Sequence, residues 1–325
     1  MHVSSCLYSL FLIATIIVSA PAGAAEPVYP SRSIRLLVPF AAGGGADATA
    51  RIITPRLHEA MGQAWVVDNR GGAGGNLAAD IVAKADADGY TIFLGFNTVL
   101  TVNPTLYKLP FNVEKDFQPV TLLATAQYIM VLHPSVPAHN LKEFIAAAKQ
   151  KPGTFNFSSG GTGTPLHMAA ELFSKRAGIK MVHVAYKGGG PAATAVLGGE
   201  VQVLFGSIAA SMPHVKSGRL KAFATTGVRR SKVAPELPTM IEEGFPGFDV
   251  GSWYAFLAPA NTPSNIIRRL HDESHKVIAM PDVQQALSRQ GLEPEASTPQ
   301  ELAARIKRET ATWAQVIKEA GIKAE

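Results

Sequence analysis

The chain has 325 residues, of which 47% are hydrophobic and 17% charged, with a formal net charge of +5 and an isoelectric point near 9.2. This composition describes a compact globular protein of one large or two moderate domains and excludes a disordered chain. The positive charge is mild and lacks a Lys/Arg run or a basic helix with interleaved aromatics, which argues against a nucleic-acid partner.

The first element is an apolar stretch from Leu7 to Val18, the length of a signal-peptide core and short for a membrane span. Ala22-Gly23-Ala24 or Gly23-Ala24-Ala25 offers small residues for cleavage, so residues 1–25 are expected to be removed on export. The segment before the apolar core departs from pattern in having no Lys or Arg. Cys6, the single cysteine, would leave with it, and the mature protein is then disulfide-free, which suits a bacterial periplasm.

Strands and helices alternate from there on. Strands are expected at 34–40, 64–68, 90–95, 128–133, 155–158, 181–185, 201–205, 220–225 and 253–258, with helices between most of them, the pattern of parallel sheets covered on both faces. The first strand runs into Gly43-Gly44-Gly45, after which Ala46, Ala50, Ile53, Leu57, Ala60 and Met61 recur at helical spacing. A strand, a side-chain-free turn and a helix start form an anion seat, because amides at a helix start are unpaired and favour negative charge. A tight turn that merely needs positive φ reads equally well at this stage. Asp47, the one carboxylate there, either accepts backbone N–H groups and shapes the loop or meets an ammonium group. Pro55 falls inside the helix and predicts a bend near Ile52–Pro55.

A second loop of the same kind, Ser158-Ser159-Gly160-Gly161-Thr162-Gly163-Thr164-Pro165, precedes a helix for which Thr164 is a suitable N-cap and Pro165 an N1 residue. His167, at N3 beside that loop, is within reach of a ligand there. Two further glycine-rich loops, Asn69–Asn76 and Tyr186–Pro191, also join a strand to a helix. Asn140 is expected to cap a helix over 141–151, and Thr262-Pro263 to open another. An amphipathic helix carrying Leu302, Ile306, Trp313 and Ile317 closes the chain. The passages Gln118–Gln127 and Thr225–Trp253 read as two crossings between lobes, which would leave a cleft able to close by hinge motion.

Nucleotide and catalytic signatures fail. Leu166 occupies the last glycine position of a Gly-x-Gly-x-x-Gly pattern, and no Gly-Lys-Ser/Thr occurs. No Gly-x-Ser-x-Gly elbow is present, and His271 and His275 lack the glutamate spacing of a zinc helix.

The mature sequence resembles the substrate-binding proteins of the tripartite tricarboxylate transporter system, the Bug family. The resemblance rests on Tyr29-Pro30-Ser31-Arg32, Val38-Pro39-Phe40 with Gly43-Gly44 and Asp47, Val66-Val67-Asp68-Asn69-Arg70 and Asp88-Gly89-Tyr90-Thr91. It continues through Asn103-Pro104, Ser159-Gly160 up to His167, His183-Val184-Ala185-Tyr186-Lys187-Gly188, Pro238-Thr239 and Ala258-Pro259-Ala260-Asn261-Thr262-Pro263. It implies an α/β, two-lobed periplasmic-binding-protein fold (a Venus flytrap, type II-like) with a mostly parallel sheet in each lobe. Lobe 1 would comprise 26–125 plus 250–325, and lobe 2 would comprise 126–249. Carried over by position, it implies a ligand site of Phe40, Ala42, Gly43, Gly44 and Asp47 in one lobe and Ser159, Gly161, Gly163, Thr164 and His167 in the other. Asn97, Thr98, Gly206 and Ser207 would face the same cleft. Two positions depart from the family: Ala41-Ala42 where many relatives have prolines, and Gly206-Ser207 where many have an acid and an amide.

The expectation is therefore a monomeric periplasmic receptor, not an enzyme, that needs neither metal nor cofactor. It would capture a small organic carboxylate (a di- or tricarboxylate, an acidic amino acid or an aromatic acid) for the membrane permease subunits of such a transporter. The alternatives are a ligand sensor for a two-component kinase and an exported hydrolase.

Overall fold

The structure, a computed structural model, describes residues 29–323. The signal-peptide reading and Cys6 lie outside the described residues. In the first part of the chain β1 (Ile34–Val38) leads to α1 (Gly45–Met61), and β2 (Trp65–Asn69) passes through a 3-10 turn at Ala73–Gly75 to α2 (Asn76–Ala83). Then β3 (Thr91–Phe96) runs into three short helices, α3 (Asn97–Thr101), α4 (Asn103–Leu106) and α5 (Val113–Asp116). The long β4 (Phe117–Leu132) precedes α6 (Leu141–Gln150), β5 (Asn156–Ser159), α7 (Pro165–Ala177) and β6 (Val182–Ala185). These are followed by α8 (Gly189–Leu197), β7 (Val203–Ser207), α9 (Ile208–Lys216) and β8 (Lys221–Thr225). The chain returns through β9 (Gly251–Pro259), α10 (Ser264–Ile278), α11 (Pro281–Arg289), the two-residue β10 (Glu293–Pro294) and α12 (Pro299–Ala320).

The strands pair in the order β2-β1-β3-β9-β4-β7-β5-β6, with β8 and β10 also on β4. Each lobe carries a parallel trio, β2-β1-β3 in one and β7-β5-β6 in the other. The central strands β9 and β4 are antiparallel to their neighbours, so the sheet is mixed where parallel pairing was expected to dominate. The reason is the pair at the centre: β9 lies antiparallel between β3 and β4, and β4, which runs on into the second half of the sheet, meets the β7-β5-β6 trio antiparallel at β7. In β1, Ile34, Leu36 and Val38 enter one core cluster and Leu37 the other, so both faces of the strand are buried under helices. Met130 and Leu132 in lobe 2 likewise pack opposite to Ile129 and Val131.

The passage Gln118–Gln127, expected as a crossing between lobes, makes that passage as part of the strand β4, paired with Gly251–Pro259 of β9. Pro119 misled the reading. It has no N–H to give a ladder, but here it lies beside a register shift, where proline is tolerated, and the β-branched Thr121 and Thr125 carry the strand onward. The return crossing fits the expectation better. Thr226 ties it to β4, its N–H donating to Tyr128 O at 2.9 Å and its carbonyl accepting from Val250 N at 3.0 Å.

A third element bridges the lobes. Leu302 and Ile306, in the first half of α12, are buried in a lobe 1 core, whereas Trp313, Val316 and Ile317 are buried in the main core of lobe 2. Thr298 starts this helix with a capping box to Glu301. Asn140 caps α6 as expected. Thr262 does not cap α10; its hydroxyl donates back to Pro259 O at 2.8 Å, and the helix begins after Pro263. Helix α1 continues through Pro55, which costs it the hydrogen bond to Arg51 O but does not end it.

Trp313 is 4% exposed, so Trp313→Ala is expected to destabilise the protein by about 3–5 kcal/mol in urea unfolding. A loss below about 1 kcal/mol would mean that α12 is not anchored in lobe 2.

Candidate functional site

The first loop is built from inside. Below it Phe40 packs edge-on against Phe96 at 5.3 Å, and Phe96 against Tyr254 at 5.3 Å, so an aromatic row supports the turn. Asn69 Nδ2 donates to Phe40 O, and Gly71 packs against the backbone at Phe40–Ala41. Residues 41–45 are exposed. Gly43 has φ +87°, which favours glycine, and its N–H donates to Asp47 Oδ2 at 3.0 Å. Asp47 is 4% exposed and also takes Arg51 Nε at 2.9 Å. Hydrogen bonding from Arg51, helped by the Gly43 N–H and opposed by burial, holds its carboxyl below the usual range. Asp47 is thus committed to shaping the loop. Helix α1 starts at Gly44, which has no side chain to cap it, and the amides of Gly45, Ala46 and Asp47 have no partner within the helix.

The second loop spends its hydroxyls on itself. Thr164 Oγ1 donates to Gly161 O at 2.7 Å, and no side chain caps α7, which corrects the expectation that Thr164 would cap it. Ser159 is fully buried, and its Oγ accepts from Gly161 N at 3.1 Å and lies 3.0 Å from Gly161 O. Gly161 and Gly163 both have positive φ, at +124° and +76°. His167 is 2% exposed, with Nδ1 accepting from Gly163 N at 3.1 Å, so its ring braces the loop from behind. The amides of Leu166 and His167, at the start of α7, have no partner within the helix. Ser159 Oγ also lies 2.6 Å from His183 Nε2, a Ser–His contact that the sequence does not reveal. Its burial inside the loop makes it a structural bond, not an accessible nucleophile.

Asn97 and Thr98, after β3, are buried, and Asn97 Nδ2 donates to Gly251 O at 2.8 Å, tying the loop to the first residue of β9. Gly206 is buried beside Leu204 and Ser211, and Ser207 is exposed at the start of α9 without capping it. Ala42 and Gly44 are exposed in the first loop.

Helices α3 and α4 lie between the glycine-rich loop at 69–76 and the second loop. A Cβ on Gly75 would lie 2.7 Å from Val99 and 3.1 Å from Pro39, and Asn103 Nδ2 reaches Gly74 O at 3.1 Å. At the other end of α3–α4, a Cβ on Gly163 would sit 2.8 Å from Leu106. Helices α3 and α4 thus separate the first lobe's loops from the second lobe's seat. Sequence reasoning missed the tyrosines at this junction. Tyr254, whose hydroxyl lies beside Gly45, has its phenol pushed up to about 12 by burial, and the Tyr128 hydroxyl, also raised by burial, bonds Ser252. Only their register in β4 and β9 brings them here. Cavities of about 450 and 140 Å³ lie elsewhere, between α7 and α12 and at the hinge beside Arg305. His271 and His275 pack ring to ring at 4.4 Å on α10, and among the described residues no group of three metal-ligating side chains forms.

Residues 49–322 match the tripartite tricarboxylate transporter family receptor, TctC. The chain belongs to that family. The receptor is 36% identical over 310 residues to BugT of Bordetella pertussis, with 94% of this chain and 95% of BugT covered. A solved R. palustris structure with adipate superimposes at a TM-score of 0.75, with 33% identity, covering 91% of the receptor and 99% of that chain. MatC from Rhodopseudomonas palustris with bound malate gives 0.72 and 31%, covering 89% of the receptor and all of that chain at 100%. TctC-family receptors are periplasmic solute-binding proteins, and the two-lobed fold is theirs.

Because the Asp47 carboxyl is lowered in the folded receptor, its contribution to stability is complete above the unfolded carboxyl range near pH 4 and is lost as pH falls through the native value. Asp47→Ala is expected to cost about 1–2 kcal/mol at pH 7, and the gap from wild type should narrow in urea titrations below about pH 4. A gap that is constant with pH would show that the carboxylate charge is not what holds the loop.

Proposed function

We propose that this receptor captures a small organic carboxylate in the periplasm and delivers it, as a monomer, to the membrane subunits of a tripartite tricarboxylate-type transporter. The observation that carries the reading is the pair of uncapped helix starts, α1 at Gly44 from one lobe and α7 at Thr164 from the other. Residues 41–46 and 160–166 contain no charged side chain, so the seats are made of backbone dipole. Each helix start contributes about 0.3–1 kcal/mol to a bound anion when exposed, and up to about 2 when partly buried. Neither suffices alone. A carboxylate held between both gains when the lobes close and water leaves, because the same dipoles act more strongly in a drier site. Adipate and malate, named with the two related structures, are both dicarboxylates and are the first ligands to try.

In this reading 26–125 with 250–325 moves as one body against 126–249, bending where β4 and the return strand pass side by side. Phe40, Ala42, Gly43, Gly44, Asn97 and Thr98 line one wall of the cleft. Gly161, Gly163, Thr164, Gly206 and Ser207 line the other, and Asp47, Ser159 and His167 hold the walls in shape.

A thermal-shift panel of carboxylates is the direct test, since a ligand at one hundred times its dissociation constant adds about 2.7 kcal/mol of stability. Gly44→Asp sharpens it. Gly44 has φ −85° and ψ 174° with no atom closer than 3.7 Å to an added Cβ, so aspartate fits and caps α1 with its own carboxylate. This variant is expected to unfold a few tenths of a kcal/mol later than wild type while losing at least about tenfold in affinity for the acid that wild type binds. Unchanged affinity in Gly44→Asp, or no response to any carboxylate in wild type, would refute the reading.

A further inference from the structure

On the anion-seat reading above, the geometry points to a stacked imidazole pair, His183 and His167, as the positioning residues of the lobe 2 seat, with His167 holding it only in its uncharged form and so coupling ligand affinity to protonation. His183 is the register partner of Phe157 in the parallel pairing of β5 with β6, so the two rings share a face of the sheet and stack at 4.9 Å. Helix α7 lays His167 over the same face, 3.8 Å from the His183 ring and 14° from parallel. Ser159, two residues beyond Phe157, points to the same side, which brings its Oγ to His183 Nε2 at 2.6 Å.

One hydrogen bond fixes a proton position. The Gly163 N–H is only a donor, so His167 Nδ1, 3.1 Å away, must present a lone pair, and the proton of the neutral ring sits on Nε2, 3.5 Å from Glu171 Oε1. Ser159 Oγ accepts from Gly161 N–H and shares a hydrogen bond with His183 Nε2, which either tautomer of that ring can make. The two rings thereby hold both ends of the loop. A proton on His167 turns Nδ1 into a donor facing the Gly163 N–H, and the loop loses that anchor. A proton on His183 leaves Nε2 able to donate to Ser159 Oγ but sets a charge against the face of His167. Around the pair, α7 brings Glu171, β5 brings Phe157 and Ser159, and β6 brings His183 itself. A positive charge by itself would favour a bound carboxylate, whereas release of the Gly163 N–H opposes binding, and a net loss of affinity at low pH is the expected balance.

The test is calorimetric titration of the receptor with malate and adipate at pH 7.5 and 5.5, comparing wild type with His167→Asn and His183→Phe. Asparagine at 167 accepts from Gly163 without titrating, and comparison with it cancels the ligand's own protonation. Wild type is expected to lose at least fivefold more affinity than His167→Asn between the two pH values. His183→Phe keeps the stack but drops the Ser159 bond and is expected to bind about tenfold more weakly at pH 7.5, the equivalent of one hydrogen bond. Nitrogen-15 spectra of the histidines are expected to show His167 in the Nε2–H form at pH 7.5. Parallel pH profiles for wild type and His167→Asn, or an Nδ1–H tautomer at His167, overturn the coupling alone. Failure of every acid to bind overturns the anion-seat reading and the coupling with it.

Discussion

A helix cannot satisfy its own first backbone amides, and the proposed site rests on two sets of them, at the starts of α1 and α7. Asn112, Asn140 and Thr298 cap α5, α6 and α12 with their side chains, whereas α10 and α11 also begin without a side-chain cap. At the cleft, Gly44 and Thr164 stand in the same position and cap nothing. Side chains that could have filled the role are occupied elsewhere. Asp47 turns back to Gly43, and Thr164 and Ser159 turn to Gly161. On the proposed reading the dipoles of α1 and α7 are what an anion meets, with no side-chain charge that would need to be desolvated before binding.

The elements between the lobes explain how the two seats keep their alignment. β4 belongs to both halves of the sheet, Thr226 ties the returning chain to it, and α12 buries one half of its apolar face in each lobe. Where α12 crosses, Glu309 accepts from Trp253 Nε1 and pairs with Arg305 at 2.8 Å. Burial raises the Glu309 carboxyl despite that neighbour. On the proposed reading, a hinge built from one strand, one hydrogen-bonded crossing and one shared helix moves along few directions, and two seats with little affinity of their own would depend on that restriction.

Much of the fold was legible in the sequence because its signals are local. All nine expected strands are present, eight within a few residues of their places and β4 starting eleven residues ahead of the expected 128–133, and the helix start at Asn140 follows from capping chemistry. Pro119 hid the strand character of 118–127, since its tolerance depends on a bulge opposite β9 that is visible only once the partner is known. The site was legible as loops but not as atoms. Thr164 and Ser159 look like ligand donors in the sequence, and only the folded loop shows their hydroxyls turned inward. Tyr254, Tyr128 and His183 carry no local signal; sheet register alone brings them to the site.

The central claim is that one carboxylate is held by backbone amides contributed by both lobes. The measurement that tests it most directly is a crystal structure of the receptor with the acid that most raises its thermal stability. The account predicts a carboxylate with oxygens about 3 Å from amides in 43–47 of one lobe, facing the 161–167 loop of the other. A carboxylate bound by an Arg or Lys side chain instead, or touching one lobe alone in a closed molecule, would contradict it.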